Sequence, residues 1–157
     1  MKFSDFVCFE ASVGKMDVAE RDEVVVALIK SLDAAGRIKP GTCDEFIKAV
    51  IDRENEASTG MGKGVAVPHV KHALAEDVIC VVGNIPAGVD FAALDKQPVY
   101  SVILLISPVD MPDRHLQAME NIFKHLQAEK FRRFLKQSST AEAIEDLLRE
   151  ADENPSW

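Results

Sequence analysis

Apolar residues recur along this chain with two different periods, and the changes of period outline its elements. Phe6 to Ala11 reads as a short first strand. From Val18 to Ala35, Val25, Leu28, Ile29 and Leu32 keep the three- and four-residue spacing that lines one face of an α-helix. Asp17 is placed to cap its start, with Glu20 closing a capping box, and Gly36 follows its end in the usual C-terminal position. Thr42 and Glu45 form a second such box. The helix they open presents Phe46, Ala49 and Val50 and is expected to end near Arg53.

Beyond Asn55 the pattern changes. Ser58, Thr59, Gly60, Gly62 and Gly64 mark a loop with wide backbone freedom, followed by a very short strand, Val65 to Val67, which Pro68 stops. Two further runs, Val78 to Ile85 and Val99 to Ile106, are short and β-branched, so they read as buried strands rather than helices. Helical spacing returns in Met111 to Gln127 (Leu116, Met119, Ile122, Phe123, Leu126) and in Glu129 to Lys136 (Phe131, Phe134, Leu135). Ser139 caps a last helix, with Glu142 completing the box and Ile144, Leu147 and Leu148 facing inward. Helices and strands alternate, then helices finish the chain. This order predicts an α/β fold: a mixed β-sheet flanked by helices on both faces, in a single compact domain over residues 1–151, with 152–157 as a frayed tail.

A length of 157 residues suits one such domain, and a chain of this size buries enough surface to need no disulfide staples. The formal net charge of −8 argues against a nucleic-acid partner, because nothing basic is available to neutralise phosphates; it favours a partner with a basic face. Cys8, Cys43 and Cys80 are odd in number and widely spaced, the pattern of reduced thiols buried as small hydrophobes in a cytoplasmic protein. No long apolar run opens the chain, and Val102 to Ile106 is far too short to cross a bilayer. Neither a signal peptide nor direct membrane insertion is expected.

One stretch carries chemistry: Thr59-Gly60-Met61-Gly62-Lys63-Gly64-Val65-Ala66-Val67-Pro68-His69. A glycine loop enters a tiny strand, and a proline fixes the backbone just before an imidazole. Glycines let backbone amides approach an anion closely, and successive N–H groups can form an anion nest. With an unperturbed pKa of about 6.5, histidine is mostly neutral and nucleophilic at cellular pH. By themselves these residues leave two readings open, a nucleophilic imidazole and an ordinary turn residue. His115 borders the apolar stripe of its helix, as a satisfied core-edge histidine would. Arg53 at a helix C-terminus is favourable for the dipole alone. His72 reads as solvated and His125 as a surface residue on its helix flank. Asp90, Asp95, Asp110 and Asp113 look like turn and cap residues. The spacing of His69, His72 and His115 fits no standard zinc pattern.

The order of these pieces resembles the active-site segment of the enzyme IIA proteins of the bacterial phosphoenolpyruvate-dependent sugar phosphotransferase system. The class is the mannitol/fructose one, which includes the nitrogen-regulatory IIA proteins. The matching pieces are Arg53-Glu54, Ser58-Thr59-Gly60-Met61-Gly62 and Gly64-Val65-Ala66-Val67-Pro68-His69, with Pro112 to Leu116 opening a helix that carries His115. Two departures stand out. Val70 takes the place of the usual small residue after Pro-His, where a β-branched side chain could narrow the approach to the imidazole, and Ser12 to Met16 match poorly.

The resemblance implies that His69 accepts a phosphoryl group on Nε2 from a histidine-containing phosphocarrier protein, with Nδ1–H held by a backbone carbonyl. It further implies that His115 stabilises the phosphoryl oxygens and Arg53 supplies fixed positive charge, with no metal or organic cofactor. Two downstream roles compete: a sugar-specific component that hands phosphate to a IIB partner, and a regulatory protein whose phosphorylation state decides which target it binds. No sugar-recognition feature and no IIB or membrane IIC segment is seen in the sequence, which tilts the expectation towards the regulatory role.

Overall fold

The computed structural model describes residues 1–154. Its helices are α1 (Arg21–Ala34), α2 (Cys43–Glu56), α3 (Pro112–Leu126), α4 (Glu129–Gln137) and α5 (Ala141–Glu153); its strands are β1 (Gly60–Gly62), β2 (Val65–Ala66), β3 (His69–His72), β4 (Ile79–Val89) and β5 (Val99–Pro108). β5 is central. On one edge β4 runs antiparallel to it, with Cys80 opposite Leu105 and Val82 opposite Ile103. On the other, β2 and β3 run parallel to it in one unbroken register, Val65 beside Ser101 and His69 beside Leu105. β1 pairs antiparallel with β2 outside them, so the sheet is mixed.

A strand turns alternate side chains to opposite faces, and β5 is apolar on both. Val102, Leu104 and Ile106 pack into one core with Leu28, Ile29, Phe46 and Val50 of α1 and α2. Ile103 and Leu105 pack into a second with Ala118, Ile122, Phe131, Ile144 and Leu148 of α3, α4 and α5. The sheet is thus covered on both faces, as the element order predicts. Each fully buried side chain of this size contributes about 1.5–3 kcal/mol. Among the described residues no helix is long and apolar enough to cross a membrane.

Several local expectations are corrected. Phe6 to Ala11 is not a strand: the segment curls into two 3₁₀ turns, Phe3–Asp5 and Phe9–Ala11. Phe3, Phe6 and Phe9 recur every third residue, the period of such a turn, and curling buries all three rings. Val7 and Val13 reach the sheet through single bridges to Cys80 and Gly83. α1 begins at Arg21 rather than Val18, because the amides of Val13 and Met16 are bonded to Val82 O and Asn84 O, at 2.9 and 2.8 Å, which holds the preceding chain against β4. Glu20 is the N-cap and makes no side-chain capping bond.

The Thr42 hydroxyl donates to Lys39 O at 2.5 Å instead of capping α2, and α2 runs on past Arg53 to Glu56. α5 is capped by Thr140, whose hydroxyl oxygen accepts from the Ala143 amide at 3.0 Å, not by Ser139. Leu116 and Phe134 are exposed although the helical spacing turned them inward. His125 is buried rather than at the surface, its ring centroid 4.9 Å from Phe3 and 5.4 Å from Phe131. At the C-terminus, α5 includes Asp152, whose carboxylate accepts from the amides of Phe3 and Ser4 at 2.7 and 3.0 Å, so fraying does not begin there. The rest of the expected tail, residues 155–157, lies outside the described residues.

Candidate functional site

Strand alternation along β2 and β3 decides which side chains share a face. Val65 and Val67 belong to the core under α3, α4 and α5, whereas Ala66 belongs to the opposite core. Continuing the alternation, His69 and Lys71 turn towards α3, and Val70 and His72 turn towards α2. The contacts agree: Val70 packs against the α1/α2 core, and the His72 ring lies 4.9 Å from Phe46. Val70 therefore points away from the His69 imidazole and does not narrow its approach, contrary to the concern its β-branched side chain raises.

His69 is half-buried, and its Nδ1 lies 2.8 Å from Val67 O. A carbonyl oxygen only accepts, so Nδ1 carries the proton and Nε2 keeps its lone pair. Leu105 N donates to Pro68 O at 2.9 Å and clips the proline to β5, which fixes where the imidazole starts. His115 sits in the first turn of α3 with its ring centroid 6.0 Å from that of His69 and the planes tilted by 50°. Its Nδ1 lies 2.7 Å from the Ser107 hydroxyl. Burial, then the charge of Lys71, then His69 hold the His115 imidazole below its ordinary value, so at neutral pH the ring is uncharged.

The structure thus brings His69 and His115 together. Arg53 is placed differently: at the end of α2 its Nη1 donates to Ala57 O at 3.0 Å, and its guanidinium bonds to neither imidazole. Its neighbour Glu54 makes the connection to His69. Glu54 is buried, 3% exposed, and its carboxylate accepts from the Thr59 amide at 3.1 Å and from the Thr59 hydroxyl. Thr59 O accepts from Val67 N at 3.2 Å, and Val67 O holds His69. A short chain of hydrogen bonds therefore runs from the end of α2 to the His69 ring.

Sequence reasoning gave Glu54 and Lys71 no role. Glu54 was readable as a carboxylate at a helix end just before a threonine and a glycine loop. Lys71 was not, because the polar run His69–His72 does not look like a strand and its shared face with His69 is visible only once β3 is seen. Three amides of the glycine loop are already committed within the protein: that of Thr59 to Glu54, that of Gly60 to the Ser58 hydroxyl, and that of Lys63 to Asp95. Gly62 and Gly64 (φ +90° and +81°) make the tight β1–β2 turn.

The remaining candidates are structural. Asp95 and Asp90 accept from backbone amides of their own turn, and the Lys63 and Gln97 amides hold the Asp95 carboxyl below its ordinary value. Cys8, Cys43 and Cys80 are free thiols; burial pushes Cys8 up to about 11 and Cys80 well above its ordinary value, so neither is a thiolate nucleophile. Among the described residues no cluster of His, Cys, Asp or Glu is placed to hold a metal ion.

A mixed sheet with helices on both faces and two imidazoles meeting where an edge strand and a helix start converge defines a class of protein that known sequences identify. Residues 10–151 match the family model described as "Phosphoenolpyruvate-dependent sugar phosphotransferase system, EIIA 2". The chain therefore belongs to this EIIA family and is a phosphotransferase component. It is 33% identical over 110 residues to a nitrogen regulatory protein of Klebsiella oxytoca, covering 68% of this chain and 67% of that one. It is 27% identical over 152 residues, 97% of its length, to the fructose-specific EIIABC component of Bacillus subtilis (strain 168), of which it spans only 24%.

Among solved structures it resembles the nitrogen regulatory protein IIA-Ntr of Neisseria meningitidis, with TM-score 0.83 and 23% identity, covering 93% of this chain and 98% of that one. It also resembles the enzyme IIA mannitol of Escherichia coli solved in complex with phosphorylated enzyme IIB mannitol, with TM-score 0.73 and 21% identity, covering 90% and 95%. At those identities the structural likeness is one of fold.

Proposed function

We propose that this protein is a phosphocarrier whose acceptor is His69 Nε2. The supporting observation is the bond from His69 Nδ1 to Val67 O, which leaves Nε2 as the nucleophilic nitrogen of a half-exposed ring facing His115. The Nε2 lone pair forms a new N–P bond as the N–P bond of a histidine-containing phosphocarrier donor breaks, its electron pair returning to the donor's ring. The phosphorylated His69 ring then carries positive charge at Nδ1–H, directed at the Val67 carbonyl. Such transfers need little covalent help, so positioning and electrostatics do the catalysis. His115, neutral and close by, donates to the phosphoryl oxygens. Arg53 adds fixed positive charge when those oxygens compete with Ala57 O for its fork of donors. No step requires a metal or organic cofactor.

For the downstream role, the regulatory reading is favoured by relatives that are nitrogen regulatory proteins, one of them 33% identical over 110 residues. About two negative charges added at a half-exposed ring switch a protein partner's affinity through repulsion and desolvation. Transfer to a IIB partner is the second reading, favoured by the fructose-specific relative matched over nearly the whole chain.

Radioactive phosphoenolpyruvate with the two general phosphotransferase proteins tests the acceptor chemistry. The label is expected to be lost in acid and kept in base, as for a phosphoramidate; an acid-stable label would point to Ser or Thr and overturn the reading. Chasing the labelled protein with a IIB domain separates the downstream roles: retention of the label favours the regulatory protein, and rapid loss to IIB the sugar component.

A further inference from the structure

Opposite the two imidazoles the sheet holds a hydroxyl that the mechanism above does not use. Ser107 is fully buried on β5, paired in register with Lys71 of β3, so both turn towards α3. Its Oγ lies 2.7 Å from His115 Nδ1, and among the described residues that is its one hydrogen-bond partner.

We propose that Ser107 is a positioning residue for phosphoryl transfer: its hydroxyl donates to His115 Nδ1 and so holds the proton of His115 on Nε2, aimed at the phosphoryl group on His69. A hydroxyl has one proton to give. If Ser107 accepted from His115 instead, its own O–H would be left unpaired in a water-free core, which costs its full desolvation. Donation satisfies both atoms. His115 is uncharged in this environment, so it owns a single ring proton and the nitrogen that carries it decides whether the ring can donate or only accept. The two imidazoles are then set in opposite tautomers by their neighbours. A carbonyl at Val67 forces the proton of His69 onto Nδ1 and frees Nε2 to attack. A hydroxyl at Ser107 forces the proton of His115 onto Nε2 and makes it a donor. Two identical side chains receive two different tasks: exchanging the tautomer of His115 would place two lone pairs face to face at the incoming phosphorus, and exchanging that of His69 would leave no lone pair to attack it.

The transfer role rests on the carrier reading, and the test separates the two. In ¹⁵N-histidine NMR of the unphosphorylated protein, His115 is expected as the Nε2–H tautomer and His69 as the Nδ1–H tautomer. Ser107→Ala should mix the tautomers of His115 and lower kcat for labelling by the phosphorylated donor about tenfold, the scale on which orienting partners of imidazoles act. KM for the donor should not change, and Ser107→Thr should restore both signals. His115 found as Nδ1–H in the wild-type protein, or a Ser107→Ala protein with unchanged tautomer and kcat, overturns the proposal. So does an effect on KM alone. A wild-type protein that takes up no label would sink the carrier reading and the transfer role together, while the tautomer spectrum still decides the Ser107–His115 bond.

Discussion

His69→Ala is expected to abolish labelling by phosphoenolpyruvate and the general phosphotransferase proteins, to below a thousandth of the wild-type rate, while leaving the fold intact. The ring is half-exposed, and among the described residues its one hydrogen bond is to Val67 O. Removing it leaves the Val67 carbonyl without that partner, at a cost of about 1 kcal/mol. Far-UV circular dichroism and the thermal midpoint should therefore stay close to wild type. The proposed acceptor is gone, and the neighbouring groups are poor substitutes. His72 lies on the opposite face with its Nδ1 accepting from the Leu74 amide at 3.0 Å, and His115 has its Nδ1 committed to Ser107. Labelling that persisted in the variant would place the acceptor elsewhere.

His115→Ala should give the second largest loss, a fall in transfer rate on the order of a hundredfold with residual acceptance at His69, the usual scale for removing one preorganised donor to a developing anion. The proposed nucleophile, His69, and its bond to Val67 O remain, so transfer should slow rather than stop. An unchanged rate would return His115 to the role of a core-edge histidine. The substitution has a second, opposite consequence. The His115 ring in the folded chain takes up a proton less readily than an unfolded histidine, chiefly because it is buried. Above about pH 6.5 both states are neutral there and the difference contributes nothing; as pH falls through that value the unfolded chain binds the proton first and stability is lost. His115→Ala removes this term, so the variant should lose less stability than wild type between pH 7 and 5.

The long apolar periods made the fold legible. α1, α3, α4, α5 and the two core strands lie where the spacing puts them, because each must bury one face or two whatever else happens. The ends were less readable, since caps are decided by backbone geometry that residue type does not determine. Ser139 and Thr140 are equally good caps on paper, and the chain uses Thr140. The N-terminal phenylalanines defeated a strand reading through a third period, the 3₁₀ one. In the site, His69 was readable because Pro68 and the glycine loop mark it. His115 was readable only as one of two alternatives, because helical spacing places it at the border of a stripe without showing what it faces. Ser107, Lys71 and Glu54 are connected to the two imidazoles through strand register and a loop hydrogen bond, and those become visible only when β3 is laid beside β5.

The most direct measurement is ¹⁵N–³¹P coupling in the phosphorylated, ¹⁵N-histidine-labelled protein. A single coupled nitrogen, Nε2 of His69, with its Nδ1 still protonated, is the expected result. Coupling at Nδ1 of His69, or at any other residue, would contradict the assignment of this imidazole as the carrier.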